Sequence, residues 1–494
     1  MTIQRVSTPF IQASVLLLVA TIFATGCAVG PKYKVPAMTA PPAYKESANW
    51  KPAQPNEQQL GGNWWEIFQD PQLNTLEEQI NVSNQNLKVA VAQYQESRAA
   101  LRYVRADYYP TVTASPSVAR EKYSSNRPPS STFDGLTFND FVLPINFSYQ
   151  ANVWGRVSRN VESYREQAQA TAADLAVVNL SMHATLAVDY FAARTLDAEE
   201  KLLQDTVAQY QQAYQLNEDR YQGGLASEVE VEQAETILQT TRAQLVDVGV
   251  ARAQYEHAVA VLVGKAPEDF TLPPLPLTTP PPSIPVGVPS ELLERRPDIA
   301  AAERRVAAAN AQVGLAEIAY YPLVNIVGSA GFESGSITTL LQGPGAMWSV
   351  GAAVVQTLFD GGRRRAATDE AKAFYDSSVA SYRQTVLTGF QQVEDNLAAL
   401  RILEKEAGVQ TSAVEAAQRS LDLSNARYEG GVTSYLEVIT AQNADLSDEL
   451  TAVNILGRRM ASAVLLIEAI GGGWDRGSLP QRPECCGKLV ANAD

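Results

Sequence analysis

The chain has 494 residues, enough for several ordinary domains or for one large elongated domain. Its 39 basic and 54 acidic residues give a formal net charge of −15, and charged residues make up only 19% of the sequence. Nucleic-acid binding requires a basic surface, so this balance argues against DNA or RNA as a partner. An acidic chain can instead handle cations in a pore, or simply present a solvated acidic surface.

The first thirty residues predict export and a lipid anchor. Arg5 precedes an apolar run, 11–23, and small residues connect that run to Cys27. This arrangement is typical of a secretory signal peptide, here residues 1–26. A cysteine directly after Thr-Gly resembles the site cut by the lipoprotein signal peptidase, which implies a covalent lipid on Cys27 and a lipidated, extended segment at 27–59. The alternative is an ordinary signal peptide that happens to end near a cysteine.

Candidate metal ligands and catalytic motifs are sparse. Cys485 and Cys486 are adjacent in an irregular tail, 476–494, without the further His or Cys ligands of a closed metal site. His183 and His257 each stand alone in helical stretches, which favours ordinary core or surface positions. The sequence has no nucleotide-binding or nucleophile-elbow motif. We therefore expect no enzyme, no metal site and no cofactor beyond the lipid.

An internal repeat organises the chain. Arg-Tyr-x-Gly-Gly occurs at 220–224 and again at 427–431, a separation of 207 residues (427 − 220). Gly-Arg at 155–156 recurs at 362–363 with the same separation. Two copies of one unit are therefore predicted, with a Pro-rich connector between them. The predicted boundaries are 60–272 for the first copy, 273–289 for the connector and 290–475 for the second copy.

Each copy contains segments in which apolar and polar residues alternate. The segments are 111–118, 141–153, 324–333 and 348–354. Such alternation is typical of transmembrane β-strands and also of strands in a half-buried soluble sheet. No run of 18 or more apolar residues follows the signal peptide, so a helical membrane span is not expected and any span would be a β-barrel.

Two very long helices are predicted, from about 156 to 220 and from about 363 to 427. Both segments lack Pro and are rich in helix-forming residues. Roughly 65 residues at about 1.5 Å each give about 100 Å of helix, which requires coiled-coil or bundle partners. Each copy thus has the order helix, two strands, very long helix, sharp turn and second long helix.

Several short motifs occur in a fixed order along the chain. They are Trp64-Trp65 with Phe68, Asp70 and Leu73, Tyr-Tyr-Pro at 108–110 and 320–322, Leu-Glu-Arg-Arg-Pro-Asp-Ile at 293–299, Phe-Asp-Gly-Gly-Arg at 359–363, both Arg-Tyr-x-Gly-Gly turns, and Gly-Gly-Gly-Trp at 471–474. Together, over about residues 60–475, they resemble the TolC-like outer-membrane efflux family in its lipoprotein (NodT-type) branch. The resemblance implies an α+β membrane protein with two tandem repeats and four transmembrane β-strands per chain. It also implies a homotrimer with one shared 12-stranded β-barrel and a periplasmic tunnel of long helices.

The resemblance further implies roles for two groups of residues. The periplasmic tip and gate, which would also dock an adaptor protein, comprises Arg220, Tyr221, Gly223, Gly224, Glu230, Arg427, Tyr428, Gly430, Gly431 and Glu437. The helix-to-barrel junction comprises Tyr108, Tyr109, Pro110, Tyr320, Tyr321 and Pro322. Extracellular loops are expected at 123–139 and 334–346.

Some of these residues have a plainer alternative role. Arg220 and Arg427 can complement the helix dipole at the ends of their helices without any part in gating. Glu230 and Glu437 would form acidic rings in a trimer, or lie on a solvated helix face. Thr440 stands where many relatives have Asp, so a second acidic ring is not expected.

The implied function is a passive exit duct in the bacterial outer membrane. The duct would conduct small toxic compounds and would extend into the periplasm, with outer-membrane lipid around it. Its partners would be a periplasmic adaptor (membrane fusion) protein and an inner-membrane transporter of the RND type. One alternative is the duct of a type I protein secretion system, and another, of a different class, is a periplasmic coiled-coil lipoprotein or adhesin.

Overall fold

A computed structural model describes residues 29–38, 40–47, 62–126, 135–284 and 289–480. The signal peptide, Cys27 and the Cys485–Cys486 pair lie outside the described residues. The chain divides into two compact units, each assembled from three stretches of sequence. Unit 1 comprises Met1–Pro36, Gln95–Ala168 and Glu303–Ser381, and unit 2 comprises Ala37–Tyr94, Gln169–Ala302 and Tyr382–Asp494.

Helices dominate the described part of the chain. They are α1 Pro71–Ser83, α2 Gln85–Arg105, α3 Arg156–Gln222, α4 Glu228–Leu262, α5 Leu292–Arg295, α6 Pro297–Ile318, α7 Arg363–Glu429 and α8 Tyr435–Ala469. Helices α3 and α7 each have 67 residues, and α4 and α8 each have 35. The first and last residues of α7 lie 207 residues after those of α3, and the same holds for α8 and α4. This is the separation of the sequence repeat. The two copies and their very long helices are therefore confirmed.

The start of α1 explains part of the Asp70–Leu73 motif. One carboxylate oxygen of Asp70 accepts hydrogen bonds from the backbone N–H groups of Gln72 (2.9 Å) and Leu73 (3.1 Å). The other oxygen accepts from the Tyr190 hydroxyl at 2.6 Å. Asp70 thus caps the helix and fixes it against α3, while Leu73 is fully buried.

Five strands form one antiparallel sheet in unit 1. They are β1 Thr111–Ala114, β2 Ser117–Lys122, β3 Thr137–Gln150, β4 Leu323–Ser334 and β5 Ala346–Val355. The order is β1-β3-β4-β5, and β2 also pairs with β3. Strands β1 and β2 pair with opposite halves of β3, so they are two parts of one interrupted strand. The expected loops are shorter than 123–139 and 334–346, because β3 begins at Thr137 and β5 begins at Ala346.

The strand register separates apolar from polar residues. Residues paired directly across an antiparallel sheet lie on the same face. One face carries Val112, Ala114, Val118, Phe141, Leu143, Ile145, Phe147, Tyr149, Ile326, Ala330, Phe332, Trp348, Val350, Ala352 and Val354. The other carries most of the polar residues: Thr111, Thr113, Asn146, Ser148, Gln150, Asn325, Ser329 and Ser349. The apolar face is open, since Trp348 is 79% and Val350 is 73% exposed.

Two helices, α3 and α8, each contain an 18-residue window long and apolar enough to cross a membrane. Only a third of each window is buried. Such windows also occur in helices that pack inside soluble proteins, so length and composition alone assign no span. Neither window was expected from the sequence, because a window can be apolar on average without being an unbroken apolar run.

His183 is a buried core residue of unit 2, and His257 is exposed. The His183 ring stacks on Trp65 at 4.4 Å, and its Nδ1 lies 2.6 Å from a carboxyl oxygen of Glu77. Burial raises the pKa of Glu77 to about 9 and lowers the pKa of His183 to about 4. With Nε2–H donating to Asn81 at 3.3 Å, the neutral Glu77 carboxyl donates to Nδ1. Near neutral pH, Glu77 and His183 are therefore both uncharged, and their hydrogen bond connects α1 to α3.

This pair predicts how stability depends on pH. The folded pKa of Glu77 lies above its ordinary 4.5, so stability falls as pH rises until about 9. The folded pKa of His183 lies below its ordinary 6.5, so stability also falls as pH drops from 6.5 towards 4. Below pH 6.5 the contributions of Glu77 and His183 change stability in opposite directions. Above pH 6.5, of these two residues only Glu77 continues to lower stability as pH rises.

We expect Glu77→Gln to remove this alkaline loss, because Gln still donates to His183 but does not titrate. The wild-type free energy of unfolding should fall by up to about 1.4 kcal/mol per pH unit from pH 7 to about 9, and that of the variant should stay nearly flat. Unfolding of the purified protein at several pH values measures this. Glu78→Gln, at the exposed neighbouring position, is the control, and an unchanged slope in Glu77→Gln contradicts the assignment.

Candidate functional site

Both long helical hairpins turn at a pair of glycines in unit 2. After α3, Gly224 has a φ of 73°, a left-handed conformation that favours glycine. The N–H of Leu225 donates to the Arg220 carbonyl at 2.8 Å, and the N–H of Gly224 donates to the Tyr221 carbonyl at 2.9 Å. These two bonds form a Schellman motif, which ends the helix and reverses the chain. Just before them, the N–H of Gly223 makes a last helical hydrogen bond to the Asp219 carbonyl at 3.0 Å.

The second copy repeats this turn after α7. Gly431 has a φ of 72° and donates to the Tyr428 carbonyl at 3.0 Å. Val432 donates to the Arg427 carbonyl at 2.9 Å, and Gly430 donates to Ala426 at 3.1 Å. The backbone of the Arg-Tyr-x-Gly-Gly motif therefore has the same role in both copies.

The two acidic tip residues have different environments. A carboxylate oxygen of Glu230 accepts a hydrogen bond from the Ser227 backbone N–H at 2.9 Å, which caps the start of α4. Glu437, at the same repeat position, lies 3.9 Å from the Arg427 guanidinium instead, and both side chains are more than half exposed. Such an exposed pair contributes about 0–1 kcal/mol. Of the two carboxylates, that of Glu437 is therefore the less constrained.

The two tip tyrosines also differ. Tyr428 is buried, its hydroxyl donates to Asn217, and the Arg220 guanidinium lies 4.7 Å from the centre of its ring. Its ring also packs on Tyr435, with centroids 5.2 Å apart. Tyr221 is 43% exposed. The repeat motif predicted both residues but not this asymmetry, which arises from the packing between copies.

Sequence reasoning missed a group of exposed apolar residues at the tips. Leu225 and Val229 follow the first turn, and Val432 and Leu436 follow the second at the same repeat positions; they are 56–75% exposed. A groove of about 640 Å³ lies between α4 and α8 at this end, with Val229 and Leu436 in its wall. Glu228 and Glu232 also line this groove. The signal for this surface was the recurrence of an aliphatic residue just after each glycine pair.

The Tyr-Tyr-Pro motifs lie where helix changes to strand in unit 1. Strand β1 begins directly after Pro110, and β4 begins directly after Pro322. The four tyrosines of the motifs are 40–73% exposed: Tyr108, Tyr109, Tyr320 and Tyr321. Trp154, four residues beyond the end of β3, donates from Nε1 to the Pro322 carbonyl at 2.9 Å, and its ring packs on Tyr321. A group of aromatic side chains therefore gathers at the helix end of the sheet.

The segment that follows Cys27 is held firmly in unit 1. Val29 donates its N–H to the Trp154 carbonyl at 3.3 Å, and Arg159 donates to the carbonyls of Val29 (3.0 Å) and Gly30 (3.2 Å). A Cβ atom on Gly30 would lie 2.6 Å from the Cα of Gly314, so only glycine permits this close approach.

Among the residues that the structure describes, no group of three or more His, Cys, Asp or Glu side chains is placed to hold a metal ion. The arrangement at the tips consists of backbone turns, a buried aromatic cluster and exposed charged and apolar side chains.

Comparisons with known proteins agree with this arrangement. The profile of the outer membrane efflux protein family matches residues 76–265 and 288–472. Cation efflux system protein CusC of Escherichia coli is 29% identical over 455 residues, covering 92% of this chain and 97% of that protein. Probable efflux pump outer membrane protein TtgC of Pseudomonas putida is 30% identical over 470 residues, covering 93% of this chain and 96% of that protein.

Solved structures give the same result. The outer-membrane channel OprN superposes with a TM-score of 0.85 at 30% identity, covering 91% of this chain and all of that chain (100%). A CusC structure superposes with a TM-score of 0.81 at 26% identity, covering 90% of this chain. The fold is therefore the α+β fold of outer-membrane efflux channels, and the chain is an outer-membrane exit channel of an efflux system. It belongs to the outer membrane efflux protein family.

Proposed function

We propose that three copies of the chain form one passive duct, and that each copy supplies one third of its barrel wall. The observation that carries this proposal is the sheet of unit 1, which has one open apolar face and one mainly polar face. A membrane barrel needs an apolar outside and a polar lumen. One chain provides four strands when β1 and β2 are counted together, too few for a barrel, which takes about eight or more. Three chains provide twelve.

The hairpin tips are the proposed periplasmic entrance and the docking surface for an adaptor protein. The exposed aliphatic residues beside both glycine turns support this role, and two of them, Val229 and Leu436, share the wall of one groove that a protein partner could cover. The acidic residues of the neighbouring groove favour a partner with basic side chains. An inner-membrane transporter, of the RND type, would supply the energy, and the duct would act as a channel rather than an enzyme.

Cys27 is the proposed lipid anchor. The hydrogen bonds that hold Val29 and Gly30 beside Trp154 support this role, because they keep the chain next to the strand ends. An acyl chain on Cys27 would then lie near the periplasmic surface of the outer membrane. Tyrosines at the same end of the sheet suit that surface, where aromatic residues are enriched in membrane proteins.

The substrate is selected elsewhere in the pump. Relatives with similar identity have names that refer to cations, antibiotics and toluene. A duct that only conducts needs no specific pocket for each compound, so we propose export of small toxic compounds without assigning one. The comparisons do not favour a type I secretion duct or a coiled-coil adhesin.

Deletion of the gene tests this function. We expect a deletion strain to become more susceptible to at least one class in a panel of drugs, metal ions, dyes and solvents, because the pump loses its exit. Re-expression of the wild-type chain should restore resistance. Unchanged susceptibility to every compound, with other efflux ducts also deleted, would contradict the proposal.

Glu437→Lys tests the entrance. Threefold symmetry turns one carboxylate into a ring of three, which attracts cations. We expect the variant to show a lower ratio of cation to anion permeability in planar-bilayer recordings, with Glu437→Gln intermediate. Glu404→Lys, an exposed position far along α7, is the control for the change in net charge. If Glu437→Lys keeps the wild-type selectivity, Glu437 does not line the pore.

Cys27→Ser tests the anchor. We expect the variant to lose metabolic labelling by palmitate and the corresponding mass, because the acylated side chain is absent. Cys485→Ser should retain both. Equal labelling of wild type and Cys27→Ser would rule out this residue as the lipid site.

A further inference from the structure

A cavity of about 500 Å³ in unit 1 concentrates positive charge. Three lysines, Lys32, Lys34 and Lys372, lie in its wall. The whole sequence has only 11 lysines and a net charge of −15, so three lysines around one cavity are a local departure from the rest of the chain. Small-molecule sites have volumes of about 300–1,000 Å³, and this cavity falls within that range. A passive duct does not by itself require such a group of lysines.

Three elements of unit 1 form the wall of this cavity. The lining residues of α6 are three and four residues apart, and those of α7 follow Lys372 by three and four residues. Such spacing places side chains on one face of a helix. The lining residues are Asn310, Val313 and Glu317 on α6, Lys372, Tyr375 and Asp376 on α7, and Pro31, Lys32 and Lys34 on the extended segment 31–34.

Segment 31–34 is held in place by α6. Asn310 is buried and donates from Nδ2 to the Pro31 carbonyl at 3.1 Å. The Tyr33 hydroxyl donates to a carboxylate oxygen of Glu303, which is also buried. The two lysines of the segment flank Tyr33, so their backbone positions are fixed before any ligand binds. A ligand at this wall therefore orders less of the chain on binding than it would on a free segment.

The charged side chains of the wall do not neutralise one another. The three lysines are exposed, and the wall also contains two carboxylates, Glu317 and Asp376. Within the described residues, no hydrogen bond and no ion pair within 4.0 Å involves any of these five side chains. Three ammonium groups and two carboxylates leave a net positive charge, which favours an anionic group in the cavity.

The cavity lies close to the helix end of the sheet. Helix α6 ends at Ile318, and β4 begins at Leu323. Glu317 is six residues before Leu323, which is about 9 Å at the helical rise of about 1.5 Å per residue. The headgroup layer on each side of a bilayer is about 5–8 Å thick. With the apolar face of the sheet in the membrane, this end of the cavity borders the headgroups of the periplasmic leaflet.

The charges on α7 have a fixed order relative to the sheet. Helix α7 begins at Arg363, after β5 ends at Val355, so Lys372 lies nearer to the sheet than Asp376 does. In phosphatidylethanolamine the phosphate lies nearer to the hydrocarbon, and the ammonium group lies further out. A cation followed by an anion therefore matches the order of the two charges in this headgroup. Glu317 lies at the phosphate side, where the three lysines outweigh it.

We propose that this cavity binds a phosphoethanolamine headgroup from the periplasmic leaflet of the outer membrane. The three lysines hold the phosphate, because Lys binds phosphate as a compact point charge. Asp376 holds the ammonium group. Pro31 and Val313 supply the apolar part of the wall. The inference rests on the outer-membrane location of the chain and not on the passage of any compound through the duct.

Native mass spectrometry of the delipidated protein tests the site. Titration with 1-palmitoyl-2-oleoyl phosphatidylethanolamine should add one lipid per chain to the wild type. An exposed charge contact changes an affinity by up to about fivefold. We therefore expect binding to weaken at least about tenfold in the triple variant Lys32→Gln, Lys34→Gln and Lys372→Gln.

A matched triple variant controls for the change in net charge. It substitutes three exposed lysines outside the cavity: Lys88→Gln, Lys201→Gln and Lys405→Gln. This variant should bind the lipid as the wild type does. Equal weakening in the two triple variants overturns the site, and so does a wild-type chain that takes up no lipid.

A soluble ligand distinguishes a membrane lipid from a free phosphate ester. The compound sn-glycero-3-phosphoethanolamine has the same headgroup without acyl chains. We expect it to bind more weakly than the lipid and to show the same loss in the cavity variant. Equal affinity for the soluble compound and the lipid would overturn the membrane as the source of the ligand.

A second lipid tests the role of Asp376. The headgroup of 1-palmitoyl-2-oleoyl phosphatidylglycerol has the phosphate without the ammonium group. Asp376→Asn should therefore lower the ratio of phosphatidylethanolamine affinity to phosphatidylglycerol affinity by up to about fivefold. An unchanged ratio overturns the assignment of the ammonium group to Asp376. None of these results decides the channel function, which the susceptibility of the deletion strain reports separately.

Discussion

The hydrogen bonds of strand edges are the constraint on which the rest of this protein depends. A sheet with one apolar face is suited to a membrane only if each of its backbone groups has a partner, because hydrocarbon offers none. Within the described residues, the sheet in unit 1 has that face and lacks those partners at both edges. A single chain therefore carries the wall of a channel without being able to close it. A threefold assembly provides the missing partners, because one edge of each sheet pairs with the other edge of the next sheet in the same way around the ring.

The internal repeat produces two similar hairpins whose tips are not used in the same way. In the second copy Tyr428 is buried against Arg220 of the first, while in the first copy Tyr221 stays exposed. In the first copy Glu230 caps its helix. In the second copy Glu437 is exposed and lies near the equally exposed Arg427. The two copies therefore share the backbone hydrogen bonds of the turn but differ in the side-chain contacts around it. At the proposed entrance, this asymmetry would let some contacts hold while others separate.

The helices and their ends could be predicted well from the sequence. The glycine pairs set the turns because the left-handed backbone at Gly224 and Gly431 strongly favours glycine, and prolines mark the change to strand at Pro110 and Pro322. Strand alternation predicted the two faces, although it missed the interruption between β1 and β2. The hydrogen bond between Glu77 and His183 could not be predicted from the sequence, because 106 residues separate them and only the packing of α1 against α3 brings them into contact. The sequence also could not distinguish Tyr428 from Tyr221, because the local motif is the same in both copies.

The central claim is that the functional channel contains three chains and one pore. Native mass spectrometry of the protein released from detergent micelles tests this most directly, because it counts chains independently of any effect on transport. The account predicts one dominant species with three times the mass of the mature chain, including any attached lipid. A dominant monomer under conditions that preserve the fold would contradict it.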